Sequence, residues 1–186
     1  MALEATFREL TKQLHKLHDA LDALNVTAGD QPEHDEAALA DGLENTVLDL
    51  IGELHEARRS ALHARRAVSP PINMDLARRA LANCHERFHR IEHEFAANLV
   101  SYEKLRELAR LGAERRAWLP WANTVKQGVE ECRQPLEQTS KALAECWQEL
   151  AERAGMTSIS VRNAIVGQKI VARDVRAEDE IAERVT

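Results

Sequence analysis

Apolar residues recur along the first segment at Leu3, Phe7, Leu10, Leu14, Leu17, Leu21 and Leu24, in steps that alternate between four and three. Such spacing puts one apolar stripe on one side of an α-helix and marks a heptad seam. Asn25 to Glu33 then carries Asn25, Gly29, Asp30 and Pro32, residues that favour turns and break helices. The first helix is therefore predicted to end near Asn25.

A second helix is predicted from about His34 to Val68, with the stripe Ala40, Leu43, Val47, Leu50, Leu54, Ala57, Ala61 and Ala64. Its alanine-rich end lets a neighbouring helix approach closely. Ser69-Pro70-Pro71 stops it, because a proline disfavours α geometry in the residue before it. Asn73 is placed to cap a third helix, and Asp75 sits well near the positive N-terminal end. The third stripe is long: Ala77, Leu81, Cys84, Phe88, Ile91, Phe95, Asn98, Tyr102, Leu105, Ala109 and Gly112. Leu99, Leu108 and Leu111 fall off this line, which predicts a second buried side. Trp118-Leu119-Pro120-Trp121 reads as a corner, with Pro120 in the first turn of a fourth helix, where its missing N–H costs nothing. Val125, Val129, Cys132, Leu136, Thr139, Leu143, Cys146 and Leu150 form the fourth stripe. Pro135 interrupts it without shifting the register, which predicts a kink and no break.

Four such stripes with short connections predict an all-α, antiparallel four-helix bundle, up-down-up-down, with long heptad-patterned helices crossing at about 20°. The pattern changes after Gly155. Thr157, Ile159 and Val161 alternate with Ser158, Ser160 and Arg162, and Ala164 to Val171 continues in β-type composition. Residues 1–155 thus read as a helical bundle domain, and residues 156–186 as a non-helical appendage, strand-like and then charged. A lone strand leaves its backbone N–H and C=O groups unpaired, so this segment is expected to need a partner surface.

Composition narrows the function classes. Seven glycines and five prolines in 186 residues are too few for the turns of a β-sandwich. The formal charge of −6 works against nucleic-acid binding, which needs surplus cations on one face. The doubled arginines Arg58-Arg59, Arg65-Arg66, Arg78-Arg79 and Arg115-Arg116 mostly have acidic neighbours and read as a mixed solvated face. Met1 to Leu10 includes Glu4 and Glu9 and lacks the apolar core of a secretory signal. No apolar run approaches the ~20 residues of a membrane span. Cys84, Cys132 and Cys146 are odd in number; Cys132 and Cys146, fourteen residues apart on one helix, would lie about 21 Å apart. Reduced core thiols in a cytoplasmic protein are the expectation.

The candidate chemistry is sparse. His85, His89 and His93 recur every four residues, so consecutive imidazoles can meet on one helix surface and take zinc or another transition metal, with Glu86 or Glu92 nearby. Each four-residue step rotates about 40° past a full turn, so His93 is expected to drift toward solvent if Cys84 and Phe88 face the core. A di-iron bundle needs two Glu-x-x-His pairs, and only Glu86/His89 qualifies. His15/Asp19 and His18/Asp22 read as helix-surface pairs, and His55 and His63 flank the second stripe without a carboxylate set to complete a ligand site. Cys84 and His85 are sequence neighbours that point about 100° apart on a helix, and Ser60/His63 lacks an orienting acid. No phosphate-cradling glycine loop occurs. Trp118, Trp121 and Trp147 are expected to pack rather than to anchor an interface.

These observations predict a non-enzymatic helical interaction module: a scaffold, adaptor or assembly subunit without a cofactor. Its protein partner would dock on the C-terminal segment through Ile159, Val161, Ile165, Val166, Ile170 and Val171. The alternative is a metal-binding or metal-sensing bundle using His85, His89 and His93. Nucleic acid and membrane are not expected as partners. The heptad seams suit intramolecular packing and a homo-oligomer equally.

Overall fold

The computed structural model describes residues 2–29, 37–111 and 119–153. All regular structure among them is helical: α1 (Ala2–Gly29), α2 (Ala37–Ala67), α3 (Met74–Leu111) and α4 (Leu119–Arg153). By proximity the chain divides into two compact units, Met1–Cys146 and Trp147–Thr186. Trp147–Arg153, the last turns of α4, are the described residues of the second unit. The C-terminal positions Ile159, Val161, Ile165, Val166, Ile170 and Val171 lie outside the described residues, as do Trp118 and Gly112.

The first unit is an all-α, antiparallel four-helix bundle. Pairs of facing residues give the directions. His15 and His18 on α1 meet Arg58 and His55 on α2, so one helix rises as the other descends. Glu53 on α2 takes Arg87 of α3, while the short turn joins Ala67 to Asn73. On the other side, Thr27 and Leu24 of α1 meet Trp121 and Gly128 of α4. Cys84 of α3 lies close enough to Cys146 of α4 for the two thiols to interact electrostatically. Each helix thus runs against the next, and α4 returns to α1.

The stripes fill the interior. All seven of the α1 positions from Leu3 to Leu24 are at most 2% exposed. Leu43, Val47, Leu50 and Leu54 continue the core on α2, and Ala57, Ala61 and Ala64 are fully buried where small side chains let the neighbours close in. Ala77, Leu81, Cys84, Phe88, Ile91 and Phe95 are the α3 contribution, and Val125, Val129, Cys132, Thr139, Leu143 and Cys146 that of α4. At about 25 cal/mol per Å² of apolar surface removed from water, these stripes supply the main driving force for the fold. Leu136 departs from expectation and is only half-buried. The side chains of Ala40, Asn98, Leu99, Tyr102, Leu105, Leu108, Ala109 and Leu111 lie outside what is described.

Local chemistry sets the helix ends. Asn73 caps α3: its side-chain oxygen accepts the Leu76 N–H at 2.9 Å, and its carbonyl accepts that of Ala77 at 3.0 Å. Pro120 sits in the first turn of α4, and the helix runs unbroken through Pro135, whose carbonyl takes the hydroxyl of the buried Thr139 at 2.7 Å. One boundary differs from the sequence reading. The first helix does not stop at Asn25 but continues to Gly29. Tertiary packing overrides the local turn preference there: Ala28 is buried, and the indole N–H of Trp121 donates to the Thr27 carbonyl at 3.0 Å. Trp121 therefore packs at this end of the bundle, as expected.

Candidate functional site

The chemistry that the helices bring together lies where α1 meets α2. His15, His18, Asp19 and Asp22 follow the buried leucines of α1 along one border, and Arg58 and His55 line the facing border of α2. His18 is the inner member, its side chain 14% exposed.

Proton positions follow from the partners. Asp22 Oδ2 lies 3.1 Å from His18 Nδ1, and a carboxylate only accepts, so this contact favours the tautomer with its hydrogen on Nδ1. That leaves a lone pair on His18 Nε2, which faces His55 Nε2 at 3.3 Å. In the neutral pair His55 Nε2 is therefore the donor. The two rings meet edge to face, with centroids 4.7 Å apart and planes at 68°. His15 is arranged the opposite way. Arg58 Nη2 can only donate, and it lies 3.2 Å from His15 Nδ1, which puts the His15 hydrogen on Nε2, toward Asp19 Oδ2 at 3.8 Å.

The surroundings of His18 disfavour its charged form. Its burial disfavours the imidazolium and depresses its pKa below the ordinary 6.5. Arg58 and His55 push in the same direction, and Asp22 and Asp19 oppose them. Neutral imidazole is the form that accepts a hydrogen bond or ligates a cation.

The histidines of α3 are placed differently. His85 is half-buried, while His89 and His93 have side chains 63% and 71% exposed, in line with the expected drift toward solvent. His89 Nδ1 lies 3.8 Å from Glu92 Oε2, and His93 Nδ1 lies 4.0 Å from Glu94 Oε1. Among the described residues, no three His, Cys, Asp or Glu side chains converge as a group able to hold a metal ion. Nearby, Arg87 forks onto both carboxylate oxygens of Glu53 at 3.0 and 2.9 Å, and Arg90 joins Glu53 to Glu86. These contacts clamp α3 to α2.

Cys84, Cys132 and Cys146 are buried, and no disulfide joins them. Burial pushes Cys84 up to about 12, helped by Cys146, and pushes Cys132 up to about 12, helped by Glu131. A thiol raised in this way holds little of the reactive thiolate at neutral pH.

From spacing alone, His15/Asp19 and His18/Asp22 are ordinary helix-surface pairs and His55 has no carboxylate set to join. The missing information was the register between α1 and α2. The available signal was that His18 and His55 both flank their stripes.

Fold and site together define an all-α antiparallel bundle with a histidine-lined border between its first two helices. Comparison with known protein families, with curated proteins and with solved structures gave no match. No helix among the described residues is long and apolar enough to cross a membrane.

Proposed function

We propose that the protein is a non-enzymatic helical interaction module, a scaffold, adaptor or assembly subunit, whose C-terminal segment docks a protein partner. The observation that carries this reading is the use each helix makes of its apolar stripe. Stripe after stripe is spent on the bundle interior, which gives a preformed rigid body. The β-type sequence from Ser158 to Val171 is chemically unlike those stripes and has the alternation of a strand that pairs with another protein's sheet edge.

Two further features support it. Surface cations are matched by local acids, as in Arg8–Glu4, Lys12–Glu9, Arg59–Glu56 and Arg133–Glu130, which favours a protein partner over nucleic acid. Three buried cysteines that form no disulfide suit a reducing compartment such as the cytoplasm.

The test compares the full chain with a variant carrying Ile159→Asp and Val161→Asp, and with a chain lacking Gly155–Thr186. Partner capture in a pull-down is lost in both, while helical circular dichroism is kept. Unchanged capture by both variants contradicts the proposal. So does loss of helical signal on deletion, because the segment is then structural. Light scattering on the same samples separates a partner protein from a second copy of this chain.

A further inference from the structure

We propose that His18 and His55 form a two-nitrogen site, bridging α1 and α2, for a divalent first-row transition-metal ion of the class that favours imidazole: Zn(II), Ni(II) or Cu(II). The first support is geometric. A tetrahedral ion with metal–nitrogen bonds of about 2.0–2.1 Å holds two ligand nitrogens roughly 3.3–3.4 Å apart. The two Nε2 atoms are already 3.3 Å apart, on different helices. An ion between them requires little movement of either backbone.

The second support is orientation. A metal-bound imidazole commonly donates its other N–H to a carboxylate, which fixes the ring and makes the ligating nitrogen more basic. Asp22 Oδ2 stands 3.1 Å from His18 Nδ1, within reach of that role. Binding needs His55 to move its hydrogen from Nε2 to Nδ1, a change of tautomer with no net loss of protons from the neutral pair.

The third support is charge and access. Asp19 and Asp22 outweigh Arg58 in local charge, which favours a cation. His55 is exposed, and water reaches the site from that side. Two protein nitrogens leave the remaining positions to water. Such a site exchanges its metal readily and acts as a staple between the first two helices.

The test uses the untagged full chain, stripped of metal, and ZnCl2 as the probe. Titration calorimetry is expected to show one equivalent bound. Binding weakens at least about tenfold in His18→Gln and in His55→Gln, and about tenfold in Asp22→Asn through loss of ring orientation. His89→Gln binds as the unmodified chain does. Electron paramagnetic resonance with one equivalent of Cu(II) shows coupling to two nitrogens, reduced to one or none in the His55→Gln protein. Circular dichroism checks each variant, and His55, being exposed, is the one whose replacement leaves folding intact. The proposal is overturned by no saturable binding up to about 1 mM ion. It is equally overturned by binding that survives His55→Gln unchanged, or by binding lost only in His89→Gln.

Discussion

Two rows of residues run side by side along α1, and they do different work. The inner row, Leu10, Leu14, Leu17 and Leu21, is fully buried. The outer row, His15, His18, Asp19 and Asp22, lies at the solvent border, where His18 and His15 meet His55 and Arg58 of α2. A buried leucine contributes about 1.5–3 kcal/mol through area alone, whereas a solvent-accessible ion pair contributes about 0–1 kcal/mol. Stability therefore resides in the inner row and specific chemistry in the outer one. The difference teaches that a bundle can carry a chemical border at little cost to its fold, because the side chains that change there are not those that exclude water.

The sharpest way to break this division is to truncate the inner row. Leu14→Ala is expected to lower the unfolding free energy by about 2–5 kcal/mol, since the surrounding helices close only partly over the cavity. Urea unfolding followed by circular dichroism checks it, and a loss below about 1 kcal/mol would erase the contrast. Overfilling α2 tests the same interior from the opposite direction. Ala61 is fully buried in the part of α2 where the stripe narrows to alanine. Ala61→Leu is expected to cost about 1–3 kcal/mol through displaced neighbours.

Smaller effects belong to the surface. An added Cβ at Gly52 would meet nothing within 4 Å, so Gly52→Ala removes helix-interior backbone freedom without a clash. A gain of about 0.5–1 kcal/mol is expected in the same unfolding assay. The outer row contributes least at neutral pH, and its signature is pH dependence. The pKa of His18 is lower folded than unfolded, so the unfolded chain binds more protons between the two values. Its stabilising share is complete above about pH 6.5 and is lost as pH falls through the depressed folded value. The melting temperature of the unmodified chain should fall more between about pH 7.5 and 5 than that of His18→Gln. Parallel curves would remove His18 from the account.

Much of the bundle is written in the one-dimensional pattern. The four stripes, the Asn73 cap, the passage of α4 through Pro135 and the buried thiols all depend on spacing or on a few neighbouring residues, which sequence displays directly. The local signals at Asn25 and Gly29 fall short of the end of α1, because Trp121, 94 residues beyond Thr27, stabilises the extra turn. The candidate site escaped for the same reason. His85, His89 and His93 attract notice because they repeat along one helix, yet that repeat carries His93 into solvent. His18 and His55 are 37 residues apart and meet only because two helices pair antiparallel in one register. Periodicity shows which residues share a helix face, but register alone shows which residues face each other across two helices.

Native-state hydrogen exchange on the full chain measures the central claim most directly: the apolar stripes of the first unit close into one cooperative core. Backbone amides at Leu10 to Leu21, Leu50 to Ala61, Leu81 to Ile91 and Val125 to Leu143 are predicted to exchange with one common free energy, equal to that of global unfolding and lowered in step by Leu14→Ala. Exchange of the α1 amides at a much lower free energy than those of α2 and α3, insensitive to Leu14→Ala, would contradict it.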